Sequence, residues 1–141
     1  MSTISPTSGV SATGEAIVTA AVAAASAVAL TTNVTANVTS ISLTAGDWDV
    51  TGIVQYTPAA TTSITQLTQG SSSTSATLGA QGTFSKFVTA ANILTAVDPA
   101  WALPTVRFSL TTTTTIYLVA NATFTVSTLA AYGVIRARRV R

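Results

Sequence analysis

The stretch LTAGDWDVTGIVQY, residues 43–56, decides the fold class of this chain. From Trp48 onward, apolar or small residues recur at every second position, and mostly polar residues lie between them. Successive side chains of a strand point to opposite faces of its sheet, so a period of two predicts a strand with one buried face. The residues predicted to share the buried face are Trp48, Val50, Gly52, Val54 and Tyr56.

Two of the four acidic residues, Asp47 and Asp49, share the other face of this strand. Their Cβ atoms would lie about 7 Å apart, a spacing compatible with the carboxyl pair of a glycosidase. No third strong polar group accompanies the pair, however. Gly46 can adopt a positive φ and Asp47 can bond to nearby backbone, which is turn chemistry. We therefore interpret Gly46 and Asp47 as a turn, and Asp49 as facing water.

The composition favours a structural protein over an enzyme. The chain of 141 residues fits one domain. Charged residues make up 7% of it, against about 25% in typical domains, which leaves little to keep a lone monomer apart from its neighbours. The absence of His and Cys excludes Ser-His and Cys-His catalysis and nearly all zinc sites. We predict no enzymatic activity, no cofactor and no metal. An enzyme would require Asp47 and Asp49 to meet Asp98 or Glu15 in one pocket.

Four of the six basic residues lie in the last six positions: Arg136, Arg138, Arg139 and Arg141. Such a cluster could contact phosphates, but no aromatic residues interleave with it to stack on bases. The guanidinium group also suits carboxylates on a protein surface. We favour docking on a protein or a subunit contact, and expect no nucleic-acid partner.

The first 15 residues are rich in Ser, Thr and Gly, and we predict an extended N-terminal arm held by a neighbouring subunit. Residues 20–29 remain ambiguous between a helix and a strand, because Ala is the best helix former. The apolar stretch 16–30 lacks a positive flank and is shorter than the roughly 20 residues that span a bilayer. We therefore expect no association with a membrane.

Further runs of alternating or β-branched residues predict about eight strands, which is typical of a sandwich or barrel. We predict loops or turns at residues 69–82, 97–104 and 111–115, with residues 69–82 also compatible with a short hairpin. Trp101 and Tyr117 could stack on a sugar ring or fill a subunit interface. Core positions predicted from these runs are Phe108, Leu118 and Phe124; Val126 continues their parity.

Two stretches carry a resemblance to a known family: SISLTAGDWDVTGIVQY and RFSLTTTTTIYLVANATFTVSTLAAYGVIRARRVR, together about a third of the chain. They contain a Leu-x-x-Gly-x-Trp-x-Val strand, a Thr-rich run leading into Tyr-Leu-Val, and a final Tyr-Gly-x-Ile-x-Ala-Arg-Arg. The chain thereby resembles virion structural proteins of tailed bacteriophages and prophages. Its Gly-x-Trp-x-Val-x-Gly strand also looks like the aromatic strand of tumour-necrosis-factor-like jelly rolls, which assemble as trimers.

The resemblance implies an all-β, antiparallel β-sandwich of jelly-roll type with an extended N-terminal arm, on the surface of a phage particle. We predict that residues 1–37 form the arm and first strand or strands, and residues 38–141 the jelly-roll domain. The expected function is that of a homotrimeric capsid decoration (cement) protein, with the major capsid protein or other virion proteins as partners. The alternative is a head- or tail-fibre knob that binds host-surface carbohydrate through an exposed pair, Trp101 and Tyr117.

Overall fold

The structure is a computed structural model that describes residues 16–93 and 97–140, without the side chains of residues 91–93. Strands dominate because Thr and Val suit a pleated surface better than a helix. Within this part of the chain the strands are β1 (Ile17–Val22), β2 (Val28–Ala29), β3 (Ala36–Leu43), β4 (Gly46–Pro58), β5 (Ser63–Ser72), β6 (Phe84–Ile93), β7 (Ala100–Ala102), β8 (Val106–Leu110), β9 (Thr114–Thr125) and β10 (Leu129–Arg139).

The strands form two antiparallel sheets. Sheet A has the order β1-β10-β4, with β7 and β8 both along the far edge of β4, and β2 also pairs with β10. Sheet B has the order β3-β9-β5-β6. The pairs β1–β10, β3–β9, β4–β8 and β5–β6 are nested in sequence, as in one long hairpin rolled into a sandwich. This is the jelly-roll arrangement, and the predicted fold class is confirmed. The predicted arm, residues 1–15, lies outside the described residues.

The core lies between the two sheets, and β4 supplies much of it. Trp48, Val50, Val54 and Tyr56 are each at most 2% exposed, as the alternation of the opening stretch requires. On β9 the inward positions alternate in the same way, and Leu118 and Phe124 are buried. Phe108 on β8 is half-buried and packs against this core.

The Ala-rich segment near the start of the chain forms strand on both sides of a short 3-10 turn at Ala24–Ser26. β1 pairs with β10 along its whole length, from Ile17 opposite Arg138 to Val22 opposite Gly133. Tertiary pairing thus overrides the helix propensity of Ala. The predicted domain boundary between residues 37 and 38 falls inside β3, and β1 is part of the jelly roll. No helix in the described ranges is long and apolar enough to span a membrane.

Several local predictions differ from the structure. Gly46 and Asp47, predicted as a turn, are the first residues of β4, and residues 114 and 115, also predicted as a turn, are the first of β9. Residues 69–72, predicted as loop or hairpin, form the end of β5, and residues 100–102, predicted as loop, form β7. The first strand was not predicted because Gly and Ser dominate its stretch, and the second was not predicted because two prolines flank it. Val126 is 80% exposed, because β9 ends at Thr125 and Val126 has a φ of +77°. The turn between β9 and β10 therefore ends the alternation, which the sequence predicted to continue through Val126.

Part of the outer face of sheet B, next to β3, is covered by the chain itself. The connection between β5 and β6, residues 73–83, returns towards β3, where Asn37 anchors it. The Asn37 amide donates to Ser75 Oγ at 2.7 Å, and Ala76 N–H donates to Asn37 Oδ1 at 2.7 Å. Val119 points away from the core yet is fully buried in this region. The outer face of sheet A has no such cover within the described residues.

Candidate interaction surface

Cross-strand register sorts the outward side chains of sheet A into rows of distinct chemistry. The first row runs across four strands and is charged at three of its four positions: Ile17, Arg138, Asp49 and Arg107. The second row is polar and basic, with Thr19, Arg136 and Thr51 side by side. This end of the face therefore carries a net positive charge.

The third row is entirely apolar. It consists of Ala21, Val134, Ile53 and Ala102, which are neighbours in register on β1, β10, β4 and β7. Ile53 is 44% exposed, and two depressions of about 330 and 230 Å³ lie beside it and Val134. Four adjoining strands thus present a continuous apolar band to solvent.

The fourth row mixes an aromatic ring with polar groups. Tyr132 lies beside Gln55, which lies beside Ala100. The Tyr132 hydroxyl donates to Asp98 Oδ2 at 3.0 Å, and this bond raises the pKa of Tyr132. Asp98 is accordingly separated from Asp49 by the apolar band. The acidic residues of this face are not gathered into one pocket.

Asp49 is paired with Arg107 and lies beside the charge of Arg138. Arg107 donates through Nε to Oδ1 and through Nη2 to Oδ2, a two-point contact. The hydrogen bond from Arg107 lowers the pKa of Asp49, and the charges of Arg107 and Arg138 lower it further. A general acid needs a raised pKa instead. Asp49 is therefore not poised to act as a general acid. Residues 16–93 and 97–140 contain no cluster of three potential metal ligands.

The arginines of the C-terminal cluster occupy different environments. Arg136 and Arg138 alternate outward on β10 and are exposed. Arg139 instead packs its guanidinium 5.7 Å from the centre of the Trp48 ring and donates to the Ala45 carbonyl at 3.0 Å. Arg139 thus caps the core, and its predicted role at an interface stays a prediction. Arg141 lies outside the described residues.

Trp101 and Tyr117 do not form an aromatic pair. Trp101 points inward from β7 and stacks on Phe87 of sheet B, with ring centres 4.8 Å apart and planes inclined by 24°. Tyr117 alternates with the buried Ile116 and Leu118 on β9, so it points to the outer face of sheet B. The sugar-stacking platform predicted from these two residues is not formed, because they lie on opposite sheets and face different directions.

Sequence reasoning did not single out Ile53, Val134 or Tyr132 as surface residues of interest. One signal was present: Ile53 is the apolar exception at the outward positions of β4. Its significance depends on Val134 and Ala102 lying beside it, and this requires the register of β10 and β7. Strand register between distant segments cannot be read from local alternation.

Comparison with known proteins supplies a fold relationship. No protein-family model matches the chain, and no curated protein is similar in sequence. The chain is similar to the VP2 subviral particle of infectious bursal disease virus (TM-score 0.52, 12% identity, 90% of this chain and 33% of that one). It is also similar to the T13 particle of that virus (0.53, 16%, 88% and 31%) and to its Gx strain (0.52, 12%, 90% and 33%).

The chain shares its fold with viral capsid proteins. It spans about a third of the length of each of these neighbours. At 12–16% identity the likeness shows the β-sandwich fold alone.

Proposed function

We propose that this chain is a non-enzymatic structural protein of a bacteriophage virion, a homotrimer that decorates the capsid and stabilises it by bridging shell subunits. The fold shared with capsid proteins supports the virion role. The strand and C-terminal motifs described above support the bacteriophage assignment. The scarcity of charge, 7% of residues, supports a protein that works inside an assembly.

The observation that carries the attachment part of the proposal is the meeting of the two ends of the described chain. Arg139 N–H donates to the Ala16 carbonyl at 2.9 Å, and Ile17 lies opposite Arg138. Ala16, which follows the predicted arm, and Arg139 therefore lie side by side at the same end of sheet A. Two attachment segments that start side by side can contact one partner surface together, and arginine suits a carboxylate-bearing partner.

Stabilisation follows from linkage. A protein that binds the assembled shell and not free shell subunits shifts the equilibrium towards the shell. Three subunits acting together multiply weak contacts through effective concentration. The jelly roll is a rigid, preformed body, so it loses little conformational freedom when it binds, and this favours binding.

The experiment adds purified protein to shells prepared without it and examines them by cryo-electron microscopy and by thermal disruption. We expect density at fixed lattice positions and a higher disruption temperature. Deletion of residues 1–15 should weaken binding, whereas Lys86→Gln, on exposed β6 of sheet B, should not. Failure to bind shells, combined with binding to host cells or glycans, would contradict decoration and favour a fibre knob.

A further inference from the structure

The outer face of sheet A carries a pattern that fits a copy of itself. We propose that this face pairs with the same face of a second chain about a two-fold axis that lies between β10 and β4 and runs parallel to them. The two-fold exchanges the two central strands, so each residue of β10 faces its cross-strand neighbour on β4 of the second chain. A two-fold interface must be self-complementary in this way.

The central pairs of the charged, apolar and aromatic rows are complementary under this exchange. In the charged row, Arg138 of one chain faces Asp49 of the other, and Asp49 faces Arg138. In the apolar row, Val134 faces Ile53. The same operation brings Tyr132 over Gln55, an aromatic ring over an amide.

The outer pairs avoid like charges. Arg107 of one chain faces Ile17 of the other, since these residues terminate the charged row on β8 and β1. The aliphatic stem of arginine packs well on such a side chain while its charged group stays in water. Ala21 faces Ala102, and their small side chains allow the sheets to approach closely.

The size of the face suits a specific but weak contact. Four strands about 4.8 Å apart, over eight residues of β4, give a face of about 19 by 27 Å, or roughly 500 Å² per chain. Two such faces approach the roughly 1,000–1,200 Å² that separates specific interfaces from incidental ones. Sheets usually pack about 30° apart, so the axis is inclined by about 15° to the strands. This displaces the charged row by about 7 Å, a gap that a long arginine side chain can bridge.

A second chain explains the pattern better than an acidic partner does. An acidic partner would complement Arg136 and Arg138, but it would place a carboxylate-rich surface against Asp49. The two-fold instead places each Asp49 opposite an Arg138 and leaves each Arg107 opposite the uncharged Ile17. The contact can be measured on the purified protein alone, so its test does not depend on whether the protein binds shells. In a trimer built through another surface, it would join one trimer to the next.

The test uses two single charge reversals, Asp49→Arg and Arg138→Asp, in the full-length protein. Each variant alone should associate at least about tenfold more weakly than wild type in sedimentation equilibrium, because like charges then face each other. An equimolar mixture should associate again, since the arginine introduced at position 49 of one chain then faces the aspartate introduced at position 138 of the other. A folding defect would not be rescued by mixing, and near-ultraviolet circular dichroism checks the fold of each variant.

Ile53→Asp should also disrupt association, whereas Val88→Asp, at a valine of β6 that is 63% exposed, should leave it unchanged. Even masses, namely dimers or pairs of trimers, support the pairing. A mass that stays monomeric or trimeric up to about 1 mM, where weak contacts of this size are occupied, would overturn it. So would an even-numbered assembly that survives Ile53→Asp, or reversed variants that do not associate when mixed.

Discussion

The Tyr56 hydroxyl lies 2.8 Å from Gln69 Oε1, across the interior of the sandwich. Tyr56 belongs to sheet A and Gln69 to sheet B, and both are fully buried. The Gln69 amide donates to Ser85 Oγ at 2.6 Å, and Ser85 Oγ donates to the Ala102 carbonyl at 2.7 Å. A chain of hydrogen bonds thus crosses from sheet A to sheet B and returns, which fixes the relative position of the sheets.

Removing the Tyr56 hydroxyl should therefore destabilise the protein more than an ordinary loss of one hydrogen bond. In Tyr56→Phe, Gln69 Oε1 loses its donor in a buried site, and we expect the free energy of unfolding to fall by about 1–3 kcal/mol. Urea denaturation measures the change. Tyr117→Phe, at the outward-facing tyrosine of β9, should change it by no more than about 0.5 kcal/mol. Equal effects of the two substitutions would show that the cross-sheet bond contributes nothing.

Burial raises the pKa of Tyr56, which makes stability depend on alkaline pH. The unfolded chain releases this proton near pH 10, while the folded chain retains it. The contribution to stability is therefore fully present below about pH 10 and is lost as the pH rises above that value. Urea midpoints measured up to about pH 11.5 should fall more steeply for wild type than for Tyr56→Phe. Tyrosinate absorbance showing that all three tyrosines ionise in this pH range while the protein stays folded would contradict this.

Gly133 allows β10 to approach β4 closely. Its φ is +153°, and a Cβ atom there would lie directly against the carbonyl oxygen of Ile53 and 3.1 Å from Val54 Cα. Because both obstacles are backbone, Gly133→Ala should lower the free energy of unfolding by more than about 2 kcal/mol. Gly82→Ala is the matched control, since its φ is +96° but nothing lies within 4 Å of a Cβ atom. A larger loss at Gly82 than at Gly133 would exclude the close approach as the cause.

Arg139 and Arg136 should respond differently to the same substitution. Arg139→Gln removes the guanidinium from the face of Trp48 and should destabilise the fold by about 0.5–1 kcal/mol. Arg136→Gln, at an exposed position, should leave stability within about 0.5 kcal/mol of wild type. Thermal and urea denaturation of both variants distinguish a core-capping arginine from a surface one. Identical losses would contradict the separation of their roles.

Local alternation was sufficient to predict which strand residues face the core, because the apolar or polar character of each residue indicates whether it is buried. The pattern from Trp48 to Tyr56 predicted β4, and the number and spacing of the strands predicted a sandwich or barrel. Features that depend on distant pairing were not accessible. β1 is a strand because β10 lies beside it, although its Ala-rich sequence fits a helix equally well.

The surface was harder to predict than the core for the same reason. Trp101 in a Pro-flanked loop resembles an exposed ligand-binding residue until Phe87 of the other sheet is placed against it. Arg139 resembles its neighbours in the basic cluster until the Trp48 ring is placed beneath it. In both cases the deciding contact joins segments that are far apart in sequence.

The most direct test of the virion role is the amount of this protein in purified phage particles relative to the major shell protein, measured by quantitative mass spectrometry. A decoration protein should be present in a fixed ratio of the same order as the shell protein. A few copies per particle would contradict decoration and indicate a fibre or tail position. Complete absence from particles, with the protein found only in infected cells, would contradict the virion role itself.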